Sequence, residues 1–314
     1  MDGESERFGR YAEAVVSEAA ARAEEIRATM PEDCFSQKVD TLYIGGGTPS
    51  VLPSHVLSDI VTGVNNAVSG SPRHDYSEFT MEVNPEDIAW HKGIIANPNC
   101  SNRISMGVQS FDDDVLRWMN RRHDAEHAEQ AYWMLRSNGF RNISIDLIYG
   151  VGGLTDEVWE STVHKAIGLS PSHISAYQLS IEEGSALAML ADSGKYQEAS
   201  EETCRRQYET LCSLLTEAGY HHYEVSNFAY PGFEARHNSA YWRRVPYVGL
   251  GAGAHSALAG PDGKVNVRKW NSESESCYVA EKEILTEENM LMVEDRYRCR
   301  SCVPSSCAYV NAFG

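Results

Sequence analysis

The chain has 314 residues, a formal net charge of −18, and apolar and charged contents of 42% and 23%, which are ordinary for a globular protein. Its acidic balance argues against broad binding to nucleic acid or to an anionic membrane, because both need basic surface. The sequence has no run of about 20 apolar residues that would span a membrane, and residues 1–10 have no apolar signal-peptide core. Eight scattered cysteines suit a reducing compartment, so we expect a cytoplasmic protein with no nucleic-acid partner.

Helices and strands alternate from the start of the sequence. An amphipathic helix is predicted over residues 6–28 and ends before Pro31. The next strand, at Val39–Ile44, runs into three glycines in GGGTPS (45–50), and a helix follows at about 53–68. Further strands, separated by helices, are predicted at 79–85, 103–111, 142–150 and 173–181. This alternation predicts an α/β fold with parallel strands and right-handed crossovers.

Polar residues and glycines stand within or at the C-terminal ends of these strands: Gly45, Gly46, Gly47, Glu82, Asn84, Gln109, Asp146 and Gln178. Several polar groups at strand ends favour the active-site rim of a (β/α) barrel over a doubly wound sheet. Glycines allow a ligand to approach the main chain, where successive N–H groups can bind a carboxylate or phosphate. For the glycine run alone, a ligand-free turn stays an alternative, because short glycine motifs are weak signals.

The pattern changes after residue 182. A short helix is predicted over 182–190, and a longer one carries Cys204, Leu211 and Leu215 on one face. The segments YEVSNFA (223–229), HNSAYW (237–242) and GLGAGAHS (249–256) are interpreted as strands and loops of an α+β extension. We expect a barrel over residues 1–182, this extension over 183–288 and a divergent, disordered tail over 289–314.

Several motifs stand in a fixed order along the chain: GGGTPS, EVNP (82–85), NRISMGVQSF (102–111), NRRH (120–123), ISIDLIYG (143–150), YEVSNFA, HNSAYW and GLGAGAHS. Together they resemble the radical S-adenosylmethionine (SAM) proteins related to oxygen-independent coproporphyrinogen III oxidase. HNSAYW and YEVSNFA favour the HemW branch of haem chaperones. The resemblance covers roughly residues 6–288 and implies a partial (β/α) barrel with an α+β C-terminal extension, SAM and a [4Fe–4S] cluster.

The resemblance also implies a set of SAM-binding residues: Gly46, Gly47, Thr48, Glu82, Gln109, Arg121 and Asp146. The glycines and Thr48 would contact SAM through the backbone, and Glu82 would accept hydrogen bonds from its amino group or ribose. Arg121 offers a fork for a carboxylate, and Asp146 offers an acceptor for ribose hydroxyls. A surface ion pair for Arg121 and a core hydrogen bond for Asp146 remain the alternatives.

His237 opens the HNSAYW motif. In a haem-handling family it is a candidate axial ligand, since imidazole suits iron. The competing interpretation, which the sequence favours, is that His237 and Asn238 fix a loop under Trp242. The partners that the resemblance implies are haem or a porphyrin and a client protein that receives haem.

The C-x3-C-x2-C motif that defines the family is not in this sequence. Thiolates hold such a cluster, so we expect an N-terminally truncated member that lacks the cluster ligands and is inactive alone. Loss of the first barrel strand would leave the Val39–Ile44 strand at an open edge, which is a pairing hazard. Val151-Gly152-Gly153 replaces the family's Leu-Pro-Gly turn and is expected to loosen its loop.

The last segment, residues 289–314, does not resemble the family. Cys299, Cys302 and Cys307 have the C-x2-C spacing of half a zinc site, but no fourth ligand stands at a convincing spacing, so no metal site is predicted. Three functional interpretations follow. The chain is a truncated radical SAM protein of the haem chaperone type, an oxidoreductase like coproporphyrinogen III oxidase, or a non-catalytic barrel remnant that binds haem or SAM.

Overall fold

The computed structural model describes residues 2–28, 39–47, 49–88, 101–259, 265–281, 289–290 and 307–311. The predictions made for Thr48, Cys299 and Cys302 lie outside these residues, as does most of the tail. Among the helices of the described residues, none combines the length and the apolar character that crossing a membrane requires.

The described residues form eleven α-helices: α1 Asp2–Ala21, α2 Ala23–Ala28, α3 Ser54–Ser69, α4 Pro85–Ile88, α5 Asp113–Trp118, α6 Ala125–Ser137, α7 Asp156–Leu169, α8 Ala186–Asp192, α9 Glu201–Glu217, α10 Arg236–Trp242 and α11 Glu275–Glu281. Local side chains cap the N-termini of several of these helices. Asp112, Thr155 and Ser200 each accept a hydrogen bond from a backbone N–H of the first turn of α5, α7 and α9. Such caps satisfy donors that the helix itself leaves unpaired.

The strands of the described residues are β1 Thr41–Gly45, β2 Glu78–Val83, β3 Arg103–Gln109, β4 Ile143–Tyr149, β5 His173–Gln178, β6 His221–Glu224, β7 Asn227–Ala229, β8 Tyr247–Leu250, β9 His255–Ala259, β10 Val265–Trp270, β11 Asn289–Met290 and β12 Cys307–Asn311. The first five match the five strands predicted from the alternation. Because β1 with β2 and β3 to β5 pair in parallel, the predicted α/β class is confirmed.

The chain divides into two compact units. The first unit comprises Met1–Glu82, Gly93–Asn102 and Ala235–Gly314, and the second comprises Val83–Lys92 and Arg103–Glu234. The boundary predicted after residue 182 rests on the change in pattern along the chain, and the one after residue 288 on the extent of the family resemblance; both stay predictions.

In the first unit the strand order is β11-β10-β9-β8-β12-β1-β2. β1 pairs in parallel with β2 on one side and with β12 on the other, so that Leu42 faces Phe79 and Ala308. The open edge predicted at the Val39–Ile44 strand is therefore wrong, because part of the tail occupies it. Helix α1 packs closely on α3, where a Cβ placed on Gly63 would lie 2.4 Å from Val16 Cγ2.

In the second unit β3, β4 and β5 are parallel, and the β6–β7 hairpin joins β5 antiparallel. Successive residues of a strand point to opposite faces, so each face has its own composition. One face carries buried apolar side chains: Ile104, Met106, Ile145, Leu147 and Ile174. The other carries polar ones: Ser105, Ser144, Asp146, His173 and Ser175. Parallel sheets are usually apolar on both faces, so this polar face is a candidate for ligand contact.

Helix α10 corrects the strand-and-loop prediction for HNSAYW. Its N-cap residue, Ala235, provides no side-chain hydrogen bond. Glu78 of β2 supplies it instead, because its carboxylate accepts from the N–H groups of Arg236 at 2.7 Å and His237 at 3.0 Å. A negative charge at this end also suits the helix dipole. Because the carboxylate that caps the helix comes from a strand distant in sequence, nothing in the local sequence indicates that a helix begins here.

The loop after β4 is held at three points rather than loosened. The N–H of Gly150 donates to Gln207 Oε1 at 2.9 Å, and Gln207 Nε2 donates to the carbonyl of Leu154 at 3.1 Å. The N–H of Gly152 donates to Tyr196 Oη at 2.9 Å. Gln207 is buried on α9, so this helix fixes the loop from outside the family motif.

Candidate functional site

A carboxylate lies over the glycine turn that ends β1. Tyr43 Oη donates to Glu82 Oε1 at 2.5 Å, and the N–H of Gly46 donates to Glu82 Oε2 at 3.0 Å. Glu82 is half-buried, whereas Gly46 and Gly47 are exposed. Hydrogen bonds to a carboxylate are stronger than neutral ones, so Glu82 is held in a defined position at the end of the strand.

The glycines make this arrangement possible. A Cβ on Gly45 would lie 2.4 Å from Tyr43 Cε1 and 2.5 Å from Glu82 Cδ, which is far inside contact distance. Gly46 has a φ of 79°, in the left-handed region that favours glycine. Part of the glycine run is thus explained by a carboxylate of the chain itself. The structure brings two predicted site residues, Gly46 and Glu82, into direct contact.

A hydrogen-bond network surrounds the imidazole of His237 and includes Thr41, which lies two residues before Tyr43 in β1. His237 is 1% exposed, and its Nδ1 lies 2.9 Å from Thr41 Oγ1. Its Nε2 lies 2.8 Å from Tyr241 Oη, and its ring centroid lies 5.1 Å from that of Tyr43. Both ring nitrogens are therefore occupied by hydroxyl groups. In this arrangement His237 has no ring nitrogen ready for an iron atom.

Gln109 ends β3 in the second unit with a φ of 70°. A side chain other than glycine at positive φ costs energy, and such residues concentrate at functional sites. Its amide lies near that of Asn84, since a Cβ on Gly107 would be 2.7 Å from Gln109 Nε2 and 3.2 Å from Asn84 Oδ1. Two amides that can donate and accept thus both lie beside Gly107, near the end of this strand.

Asp146 belongs to a separate hydrogen-bond group on the polar face of the second unit. It accepts from Ser105 Oγ at 2.8 Å and from Ser144 Oγ at 3.0 Å. Burial raises its pKa, although the hydrogen bond from Ser105 opposes the shift. His173 lies beside it, with Nδ1 2.8 Å from Ser144 Oγ and Nε2 2.8 Å from Tyr223 Oη. Burial lowers the pKa of His173 well below 6.5, so this imidazole is neutral at pH 7.

A charged group that sequence reasoning missed lies around Glu86. Glu86 Oε2 is 2.9 Å from His123 Nδ1, and Arg122 Nε donates to Glu86 Oε1 at 3.1 Å. Burial alone would raise the pKa of Glu86, but the bond to His123 and the neighbouring charges lower it to about 2. Arg121 is half-buried, and burial lowers its pKa while Glu86 opposes the shift. The NRRH motif was the available indication, since it contains three of these residues.

The described side chains do not provide the donor set of an iron–sulfur cluster. Among them, no group of three or more His, Cys, Asp or Glu residues is placed to hold a metal ion. Of the cysteines, the structure describes the side chains of Cys204, Cys212 and Cys277, and these three are free thiols. A [4Fe–4S] cluster needs several converging thiolates, so we derive no chemistry through a cluster from these residues.

Known proteins resemble this chain in sequence. The Radical SAM superfamily matches residues 12–166. The haem chaperone HemW of Lactococcus lactis is 38% identical over 224 residues, which cover 71% of this chain and 58% of that protein. HemW of Haemophilus influenzae is 31% identical over 277 residues, which cover 85% of this chain and 70% of the relative. The chain thus spans 58% of the length of relatives such as that of L. lactis.

A solved structure resembles the chain in fold. Coproporphyrinogen III oxidase (HemN) of Escherichia coli, a radical SAM enzyme, superposes with a TM-score of 0.68 at 22% identity. The superposition covers 92% of this chain and 66% of that one. At this identity the likeness establishes the fold alone. The radical SAM type of fold predicted from the motifs is confirmed.

Proposed function

Since the chain belongs to the HemW family of radical SAM proteins, we propose that it binds haem as a haem chaperone-like protein. The observation that carries the proposal is 31% identity over 85% of this chain to a protein named a haem chaperone. A client protein that receives the haem is part of the same proposal. The free thiols Cys204, Cys212 and Cys277 suit the reducing cytoplasm, which we propose as its compartment.

His237 is the haem ligand that we propose. It is the second residue of α10, whose HNSAYW sequence favours the chaperone branch, and imidazole is a common iron ligand. Titration of the chain with hemin should shift the Soret band. His237→Ala should raise the dissociation constant for hemin at least tenfold. His164→Ala, at an exposed position on α7, is the control and should bind as the wild type does. Equal binding by His237→Ala and wild type would remove His237 as the ligand.

We also propose that the end of β1 binds SAM, the cofactor of the superfamily. Glu82 is held over the turn with both oxygens positioned, and a carboxylate can accept hydrogen bonds from an ammonium or a ribose hydroxyl. Gly46 acts through Glu82, because its N–H already donates to that carboxylate. The remaining proposed contacts are Gly47, Thr48, Gln109, Arg121 and Asp146.

Calorimetric titration with SAM tests this second binding site. Glu82→Gln keeps the shape of the side chain but removes its charge, and should weaken SAM binding by roughly 10-fold or more, the size of one charge-assisted hydrogen bond. Glu24→Gln changes an exposed carboxylate on α2 and should leave the dissociation constant unchanged. A dissociation constant that Glu82→Gln does not alter would contradict the assignment.

Coproporphyrinogen III oxidation is the second candidate, favoured by the ordered motifs that resemble proteins related to oxygen-independent coproporphyrinogen III oxidase. The two functions separate in one anaerobic experiment, in which the chain is incubated with iron, sulfide, a reductant, SAM and coproporphyrinogen III. Formation of 5′-deoxyadenosine together with decarboxylated porphyrinogen would support the oxidase. Formation of neither product here, together with hemin binding in the separate titration, would support the haem chaperone.

A further inference from the structure

The two ring nitrogens of His237 have partners that differ in exposure and in how the fold holds them. Thr41, which lies at Nδ1, is 2% exposed and sits in β1, which is paired on both sides. Tyr241, which lies at Nε2, is 37% exposed and stands in the last turn of α10. Thr41 cannot leave without disturbing the sheet, whereas Tyr241 stands on a seven-residue helix and is partly exposed to solvent.

This difference fits the way that proteins prepare a histidine for a metal. A metal-binding imidazole usually donates its other N–H to a fixed partner, which sets the tautomer and the orientation of the ring. The hydroxyl oxygen of Thr41 can accept a hydrogen bond from Nδ1–H and so serve as such a partner. With the proton on Nδ1, Nε2 carries the lone pair, and Tyr241 Oη donates to it at 2.8 Å. A neutral imidazole nitrogen uses that one lone pair either for a hydrogen bond or for a metal.

We propose that Tyr241 is a displaceable cap on Nε2 of His237, and that its hydroxyl must leave before iron coordinates there. This inference rests on the proposed binding of haem. The O–H···N hydrogen bond is exchanged for an iron–nitrogen bond, and the hydroxyl takes a water molecule as its new partner. Tyr241 therefore sets the rate of haem capture, while Thr41 holds the ring in place.

Tyr241→Phe removes the hydroxyl and keeps the ring that lies 5.0 Å from the imidazole. Stopped-flow mixing with hemin should show an association rate constant that is about 3- to 10-fold higher than in the wild type, the factor expected for one hydrogen bond. Tyr247→Phe is the matched control, because this ring packs on Tyr241 at 4.7 Å in the same aromatic cluster. Its rate should equal that of the wild type.

Diethyl pyrocarbonate gives a readout that does not involve haem, since it acylates an imidazole nitrogen that carries a free lone pair. Mass spectrometry should show His237 modified several-fold faster in Tyr241→Phe than in wild type or Tyr247→Phe. Tyr241→Leu gives a second variant without the hydroxyl, should the phenylalanine variant fold poorly by circular dichroism.

Unchanged or slower acylation in folded variants that lack the hydroxyl would overturn the cap. Slower hemin association in those variants would assign Tyr241 a positioning role and would also overturn it. If His237→Ala binds hemin like the wild type while acylation still rises in Tyr241→Phe, the haem ligand proposal fails and the cap on Nε2 stands.

Discussion

Substitution of Gly45 by alanine tests whether the glycine run exists to seat Glu82. The added Cβ would lie 2.4 Å from Tyr43 Cε1, 2.5 Å from Glu82 Cδ and 2.6 Å from Glu82 Oε1. Glu82 could rotate away only by giving up its bonds to Tyr43 and Gly46. Overpacking of this kind costs about 1–3 kcal/mol, and a lost hydrogen bond to a charged group costs about 1.5–3 kcal/mol. We expect Gly45→Ala to lower the free energy of unfolding by about 2 kcal/mol.

Urea unfolding at pH 7.5, followed by circular dichroism, measures this loss. Gly9→Ala is the control, because a Cβ at that position of α1 meets nothing within 4 Å, and alanine favours a helix by up to about 1 kcal/mol. In a Glu82→Ala background the collision with Glu82 is gone, so Gly45→Ala should cost at least 1 kcal/mol less, by the usual size of coupling between neighbours. Equal costs in both backgrounds would refute the reasoning.

Three further predictions concern pH, a helix end and a loop. Burial holds the pKa of His173 below 6.5, so only the unfolded chain gains its proton as pH falls below that value. The free energy of unfolding should therefore fall as the pH is lowered from 7.5 to 5. Urea unfolding at both pH values should show a smaller fall for His173→Gln than for the wild type, and an equal fall would contradict the prediction. Glu78→Gln should lower the free energy of unfolding by about 1 kcal/mol, because one amide oxygen replaces the two carboxylate oxygens that cap α10. Faster hydrogen exchange at the His237 amide would show that the loss lies at the N-terminus of α10. Gln207→Leu should cost about 1–3 kcal/mol and speed exchange at Gly150, whose N–H loses its acceptor; unchanged exchange would contradict that contact.

About half of the candidate site could be predicted from the sequence. Gly46 and Glu82 were predicted and do meet, but Tyr43 was missed as the partner that fixes Glu82. An indication was present, since Tyr43 and Gly45 are two residues apart on one strand and so share a face. The pairing of Glu86 with His123 spans 37 residues, and no local pattern announces it. Whether Gln109, Arg121 and Asp146 bind SAM stays a prediction.

The sequence by itself determined the alternation of strands and helices, because hydrophobic periodicity and helix caps such as Asp112 are local. It also determined the family, through motifs in order. Tertiary structure decided what depends on distant partners. Glu78, which is 159 residues from His237 in sequence, caps the helix that HNSAYW forms, and a strand of the tail pairs with the edge of β1. Thr41 and Tyr241 decide how His237 is held, because a hydrogen bond between remote residues exists only once the fold has brought them together.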